Sequence, residues 1–182
     1  MNMKCILLTT FLVTLAVWGW MSRPLPRFVA SGIPSSSRNI EQPSHRRMIE
    51  GDHLQLMYHF WLFADMLRGQ TPWFHNLYEF NEGNDADRKV LDPYYFPFSL
   101  VFALFDSVGG MALGWNATGL LALWLTYWAT WMLIAALVDD HRIAAVLGAL
   151  SILMPYRWMN VLGGSPTGFA MLWVPLLISC EW

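Results

Sequence analysis

Apolar residues gather in two zones of this chain. One is a short run at residues 5–20. The other is an almost continuous band from residue 94 to the last residues. A helix needs about 20 mostly apolar residues to cross a hydrocarbon core. Residues 117–138 have no charge and stop at Asp139-Asp140-His141-Arg142, which predicts a crossing. Residues 143–156 and 167–180 are shorter apolar runs separated from their neighbours by tight turns, and they predict two further crossings. Residues 5–20 follow Lys4 and end before Arg23-Pro24. They read as an uncleaved signal anchor rather than a signal peptide, because Trp18, Trp20 and Met21 stand where a small-residue cleavage site belongs.

Residues 94–113 are ambiguous. They hold Pro97, Asp106 and the pair Gly109-Gly110, and a carboxylate at mid-bilayer costs about 2.5–3.5 kcal/mol. The favoured reading is a short helix over 98–105 dipping into the membrane edge, with Asp106 at an interface. The competing one is a full crossing with Asp106 facing a polar cavity.

Residues 21–93 break the pattern. They contain Arg23, Arg27, Arg38, Arg46, Arg47, Arg68, Arg88 and Lys89, leaving only three of the chain's 11 basic residues elsewhere. Four of the 5 histidines are here too: His45, His53, His59 and His75. Water-facing chemistry therefore belongs in this loop. Residues 22–44 are rich in Pro, Ser and Arg and read as an irregular connector. Residues 52–68 predict a helix, with Leu56, Phe60, Phe63 and Leu67 along one face. Asp52 suits its N-cap and Gly69 its C-terminal stop. With Met, Phe and Trp on its apolar side, this helix suits a flat position at the membrane surface. Residues 79–92 are polar and read as an excursion.

Composition agrees with a membrane protein. Hydrophobic residues make up 55% and charged residues 13%, against about 25% charged in soluble domains. Eleven tryptophans suit membrane–water boundaries. No basic excess suggests nucleic acid. Cys5 and Cys180 lie in apolar runs at opposite ends and read as buried thiols. The fold class expected is all-α: a polytopic transmembrane protein with an amphipathic interfacial helix in its first extracytoplasmic loop. Insertion with Lys4 inside puts residues 21–93 outside, on the same side as Arg157. The abrupt end at Glu181-Trp182 reads as a truncation.

Several segments resemble the polytopic GT-C glycosyltransferases, especially the bacterial YfhO-like branch. Gly51-Asp52 opening an amphipathic helix after a first apolar span is one. Leu67-Arg68-Gly69-Gln70-Thr71-Pro72-Trp73 resembles that branch's Leu/Gly/Pro/Trp step after the helix. Asp92-Pro93-Tyr94-Tyr95-Phe96-Pro97-Phe98 resembles its Pro/Tyr-rich approach to the next helix. Met154-Pro155-Tyr156-Arg157 with Gly163-Gly164, and Trp173-Val174-Pro175-Leu176, resemble later turns. Ser165 departs from the pattern, since a histidine often follows the glycine there, and residues 81–90 look like an insertion.

The resemblance implies a larger inner-membrane protein that transfers a sugar from a polyprenyl-phosphate donor on the extracytoplasmic face. Asp52 matches the acidic residue that acts as general base or metal partner, and Glu50 matches it less well. Such a reaction needs a base for the acceptor hydroxyl and a cation to steady the departing phosphate. Glu50, His53, Arg157 and Asn160 are the candidate substrate-binding residues. A divalent cation is compatible with this chemistry but not required by it. Bland readings stand beside these. Asp52 is equally suited to capping a helix, Arg157 to snorkelling at an interface, and Asp85-x-Asp87 to a solvated loop. A non-catalytic membrane protein of similar architecture, flippase-like or an assembly component, is the alternative function. A simple anchor presenting its loop to a partner is a third.

Overall fold

The computed structural model describes residues 3–21, 53–77, 95–154, 161 and 166–180. These form helices α1 (Met3–Met21), α2 (His53–Leu67), α3 (Phe98–Val138), α4 (His141–Leu153), α5 (Pro166–Ala170) and α6 (Trp173–Cys180), with no strand among the described residues. Every other helix packs against α3.

Helix α3 is broken at Gly110, whose φ of 79° and ψ of 178° lie in a region open essentially to glycine alone. The break reverses the chain. In a straight helix residues 102 and 114 would stand about 18 Å apart. Here a Cβ on Gly114 would lie 2.9 Å from the Phe102 carbonyl oxygen. The 98–109 arm therefore folds back along the 111–138 arm, and the missing side chain of Gly114 allows the close approach.

The two arms differ in length. The 98–109 arm is about 18 Å long, too short for a hydrocarbon core of about 30 Å, whereas the 111–138 arm is about 42 Å. Among the described residues α3 is the one helix long and apolar enough to cross a membrane. It also extends further toward the N-terminus than the apolar run at 117–138 indicated.

Aromatic side chains lock the two arms to their neighbours. Phe60 of α2 meets Phe102 at 5.5 Å between ring centroids and Trp115 at 6.0 Å. Phe169 of α5 meets Phe60, Phe98 and Trp115 within 5.7 Å. Phe60, Phe102, Trp115 and Phe169 are fully buried. Such contacts contribute about 0.5–1.5 kcal/mol each beyond area burial.

Small residues set the remaining interfaces. Trp18 of α1 lies over Gly119, where a Cβ would come within 2.6 Å of its ring. Trp124 Nε1 donates to Thr10 Oγ1 at 3.1 Å, and Phe11 meets Trp124 edge-on. Thr10 and Trp18 thus pair with Trp124 and Gly119 in reverse order, so α1 and the 111–138 arm run in opposite directions. Tyr127 lies over Gly148 of α4 and donates its hydroxyl to the Ala145 carbonyl at 3.0 Å. Asp139 ends α3 in the left-handed conformation, and the Asp140 carboxylate caps α4 by accepting from the Arg142 N–H at 2.7 Å.

Three expectations need correction. First, α2 does not lay its apolar face on a bilayer. Leu56, Met57, Phe60, Leu62, Phe63, Ala64 and Met66 are all buried within the protein, and only Leu67 of the expected stripe is exposed. Phe102, Trp115 and Phe169 pack around Phe60 on that face. Second, the apolar run 167–180 is divided at Met171 and Leu172 into α5 and α6. Pro175 explains the division, because it lacks an N–H and its ring crowds the carbonyl of Met171. Third, Cys5 and Cys180 are exposed rather than buried. The outer surface is apolar on several helices: Leu8, Leu12 and Leu15 of α1, Val146 and Leu150 of α4, and Val174 and Leu177 of α6 all face outward.

Substituting Gly110→Ala should lower stability by about 1–3 kcal/mol, because alanine must adopt a backbone conformation it strongly disfavours. Gly19→Ala, where a Cβ meets nothing within 4 Å, is the control. It should be neutral or stabilising by up to about 1 kcal/mol. Thermal unfolding in detergent measures both, and equal effects would contradict the reversal.

Candidate functional site

Of the residues singled out from sequence, Glu50, Asp52, Arg157 and Asn160 lie outside the described residues. His53 is the first residue of α2, and only its backbone is described. Asp85 and Asp87 also lie outside.

The structure assembles a different group of charges. Arg68, directly after α2, forms an ion pair with Asp106 near the end of the 98–109 arm, and its Nη1 lies 3.4 Å from Asp65 Oδ1. The Asp65 and Asp106 side chains are only 3% and 8% exposed, while that of Arg68 is 34% exposed. One guanidinium thus serves two largely buried carboxylates.

Local geometry explains why Arg68 is available. Helix α2 ends in a double turn in which the Gly69 N–H reaches the Met66 carbonyl at 3.1 Å and the Gln70 N–H reaches the Asp65 carbonyl at 3.0 Å. Gly69 takes φ 71°, the left-handed stop expected of it. Asp65 and Arg68 share one side of the last turn at i and i+3. The following segment folds back over α2: Trp73 meets Phe63 edge-on, and the Tyr58 hydroxyl donates to Asn76 Oδ1 at 2.6 Å.

The contacts also orient α2. Phe60 touches Phe102, and Arg68 binds Asp106, so the contacts advance together along both helices. Helix α2 and the 98–109 arm therefore run in the same direction, with Arg68 near the Gly110 bend. His53, about 10 Å before Phe60, marks the end that points away from the bend, along the 111–138 arm.

Chemically, the Asp65–Arg68–Asp106 group is a clamp between the helix end and the bend. Its guanidinium is already engaged by two acids. Among the described residues no group of three or more His, Cys, Asp or Glu side chains could hold a metal ion. A recess of about 280 Å³ on α4, lined by Arg142, Ile143, Val146 and Leu147, gathers no convergent polar groups. Sequence reasoning marked Asp106 as needing an explanation but missed its partner. The available signal was Arg68 itself, a cation three residues from Asp65 at the end of an otherwise apolar helix.

Removing the cation should leave the poorly hydrated Asp106 carboxylate without its guanidinium and take one contact from Asp65. A partly exposed clamp lies between surface pairs, at about 0–1 kcal/mol, and buried pairs, where losing one partner costs about 3–5 kcal/mol. Arg68→Ala should thus cost about 2 kcal/mol in detergent unfolding. Adding Asp106→Asn should recover part of that loss. Strictly additive losses from the two changes would show that the pair contributes no coupling.

No protein-family model, curated protein or solved structure matches this chain.

Proposed function

We propose that this chain belongs to a polytopic inner-membrane glycosyltransferase that takes its sugar from a polyprenyl-phosphate donor at the extracytoplasmic face. The observation that carries the reading is a division of surfaces. Helices α1, α4 and α6 turn leucine, isoleucine and valine side chains outward, as lipid contact demands. The ionic group formed by Asp65, Arg68 and Asp106 gathers at the Gly110 end.

The run of α1 brings the charged segment toward the ionic group. Because α1 opposes the 111–138 arm, its C-terminal end, which leads into the charged segment 22–93, lies toward that same Gly110 end. Three buried threonine hydroxyls in these helices are satisfied locally. Thr14, Thr118 and Thr126 donate to carbonyls four residues earlier at 2.7–2.8 Å. That arrangement suits a water-poor setting.

In the proposed reaction the Asp52 carboxylate accepts the proton of an acceptor hydroxyl. The acceptor oxygen bonds to the anomeric carbon, and the bond from that carbon to the donor phosphate breaks, the electron pair leaving with the phosphate. Arg157 balances the phosphate charge, while Glu50, His53 and Asn160 orient the sugar and acceptor. The residue next to Asp52 opens a helix whose positive end favours nearby carboxylates.

Asp52→Asn in the intact protein should reduce sugar transfer by about 10²–10⁴-fold, the usual contribution of a general base, with Asp52→Glu retaining partial activity. Unaltered transfer by Asp52→Asn would defeat the catalytic assignment and favour the non-catalytic alternative. Topology is checked at Ser36→Cys in a background lacking Cys5 and Cys180. An impermeant maleimide should label it in intact cells, and labelling only after permeabilisation would remove the outer-face site.

A further inference from the structure

The outer side of the 98–109 arm has a distinct character. Leu104 and Val108 are 63% and 77% exposed, and Leu100 and Phe105 beside them are also exposed. In water this would be an apolar patch with nothing to cover it. Its polar groups are all accounted for. The Ser107 hydroxyl donates to the Leu104 carbonyl at 2.7 Å, and the Asp106 carboxylate is turned into its ion pair with Arg68. The inner side is occupied, since Phe98 and Phe102 are buried in the aromatic core.

We infer that the 98–109 arm is a half-inserted hairpin whose Leu100, Leu104, Phe105 and Val108 face lies against lipid acyl chains, and that Arg68 makes this possible by cancelling the charge of Asp106. The inference rests on the membrane setting of the reading above but not on sugar transfer. Two observations favour lipid over a protein partner. The arm lies antiparallel to and in contact with the 111–138 arm, so its outer face continues an apolar surface that already includes the outward residues Met111 and Leu113. In addition, the polar groups on the outward side are met within the protein, the Ser107 hydroxyl by a backbone carbonyl and the arm's one carboxylate by Arg68, which is the condition for residence in hydrocarbon, where nothing else can satisfy them. A docking site for a soluble partner would instead be expected to carry a polar rim.

The arm thus becomes a lever between membrane and loop. Its inner side holds Phe60 of α2, its end holds Arg68, and its outer side sits in the leaflet. The depth of the arm then sets the depth of α2, including the His53 end that adjoins Asp52.

Spin labels at Leu104→Cys and Val108→Cys, in the full chain lacking Cys5 and Cys180 and reconstituted into phosphatidylcholine–phosphatidylglycerol vesicles, test this. Labels at Leu12→Cys and Val146→Cys on the outer faces of α1 and α4 report on the membrane setting itself. The expected result is that molecular oxygen reaches the labels at 104 and 108 more readily than a water-soluble nickel chelate does. Free access of the chelate there, with positions 12 and 146 in lipid, overturns this inference alone. Exclusion of both probes means that protein covers the face and overturns it as well. Chelate access at all four positions defeats the membrane reading too. Arg68→Ala should raise chelate access at 104, and adding Asp106→Asn should restore exclusion. No response to Arg68→Ala would overturn the role given to charge cancellation.

Discussion

The architecture depends on the reversal at Gly110. An unbroken helix from Phe98 to Val138 would extend about 60 Å, and Phe102 and Trp115 could not share a neighbour. With glycine at φ 79° and ψ 178° the two arms double back, and Gly114 allows the backbone of one to touch the other. That contact creates the groove into which Phe60 and Phe169 insert. The positions of α2 and α5 follow from it.

The ion pair between Arg68 and Asp106 adds a second attachment at the other end of the same surface. It joins the stop of α2 to the end of the 98–109 arm, while the aromatic contacts hold the middle. A hydrophobic contact alone leaves a helix free to slide; a charge pair at a defined residue sets its register. The apolar outer helices then enclose a core that is aromatic in its centre and ionic at one end.

These features connect structure to the proposed chemistry through direction rather than through a preformed pocket. Helix α2 runs alongside the 98–109 arm, so its His53 end lies along the longer, apolar arm of α3. Burial of Leu56, Met57 and Phe60 makes α2 a fixed part of the protein rather than a surface float.

Periodicity and local chemistry made much of the helical content readable in the chain. The 3.6-residue spacing of Leu56 and Phe60, the left-handed stop at Gly69, and the Asp139-Asp140 turn are short-range effects encoded by neighbours in sequence. Proline at 175 and glycine at 110 were visible, but whether such residues kink, break or reverse a helix depends on what packs around the bend. Which face of α2 meets protein rather than lipid is likewise decided at long range, by aromatic rings from α3 and α5. The partner of Asp106 was hidden for the same reason. Nearest-neighbour forces determine helices and caps from sequence alone, whereas the pairing of charges 38 residues apart exists only once the chain has folded back on itself.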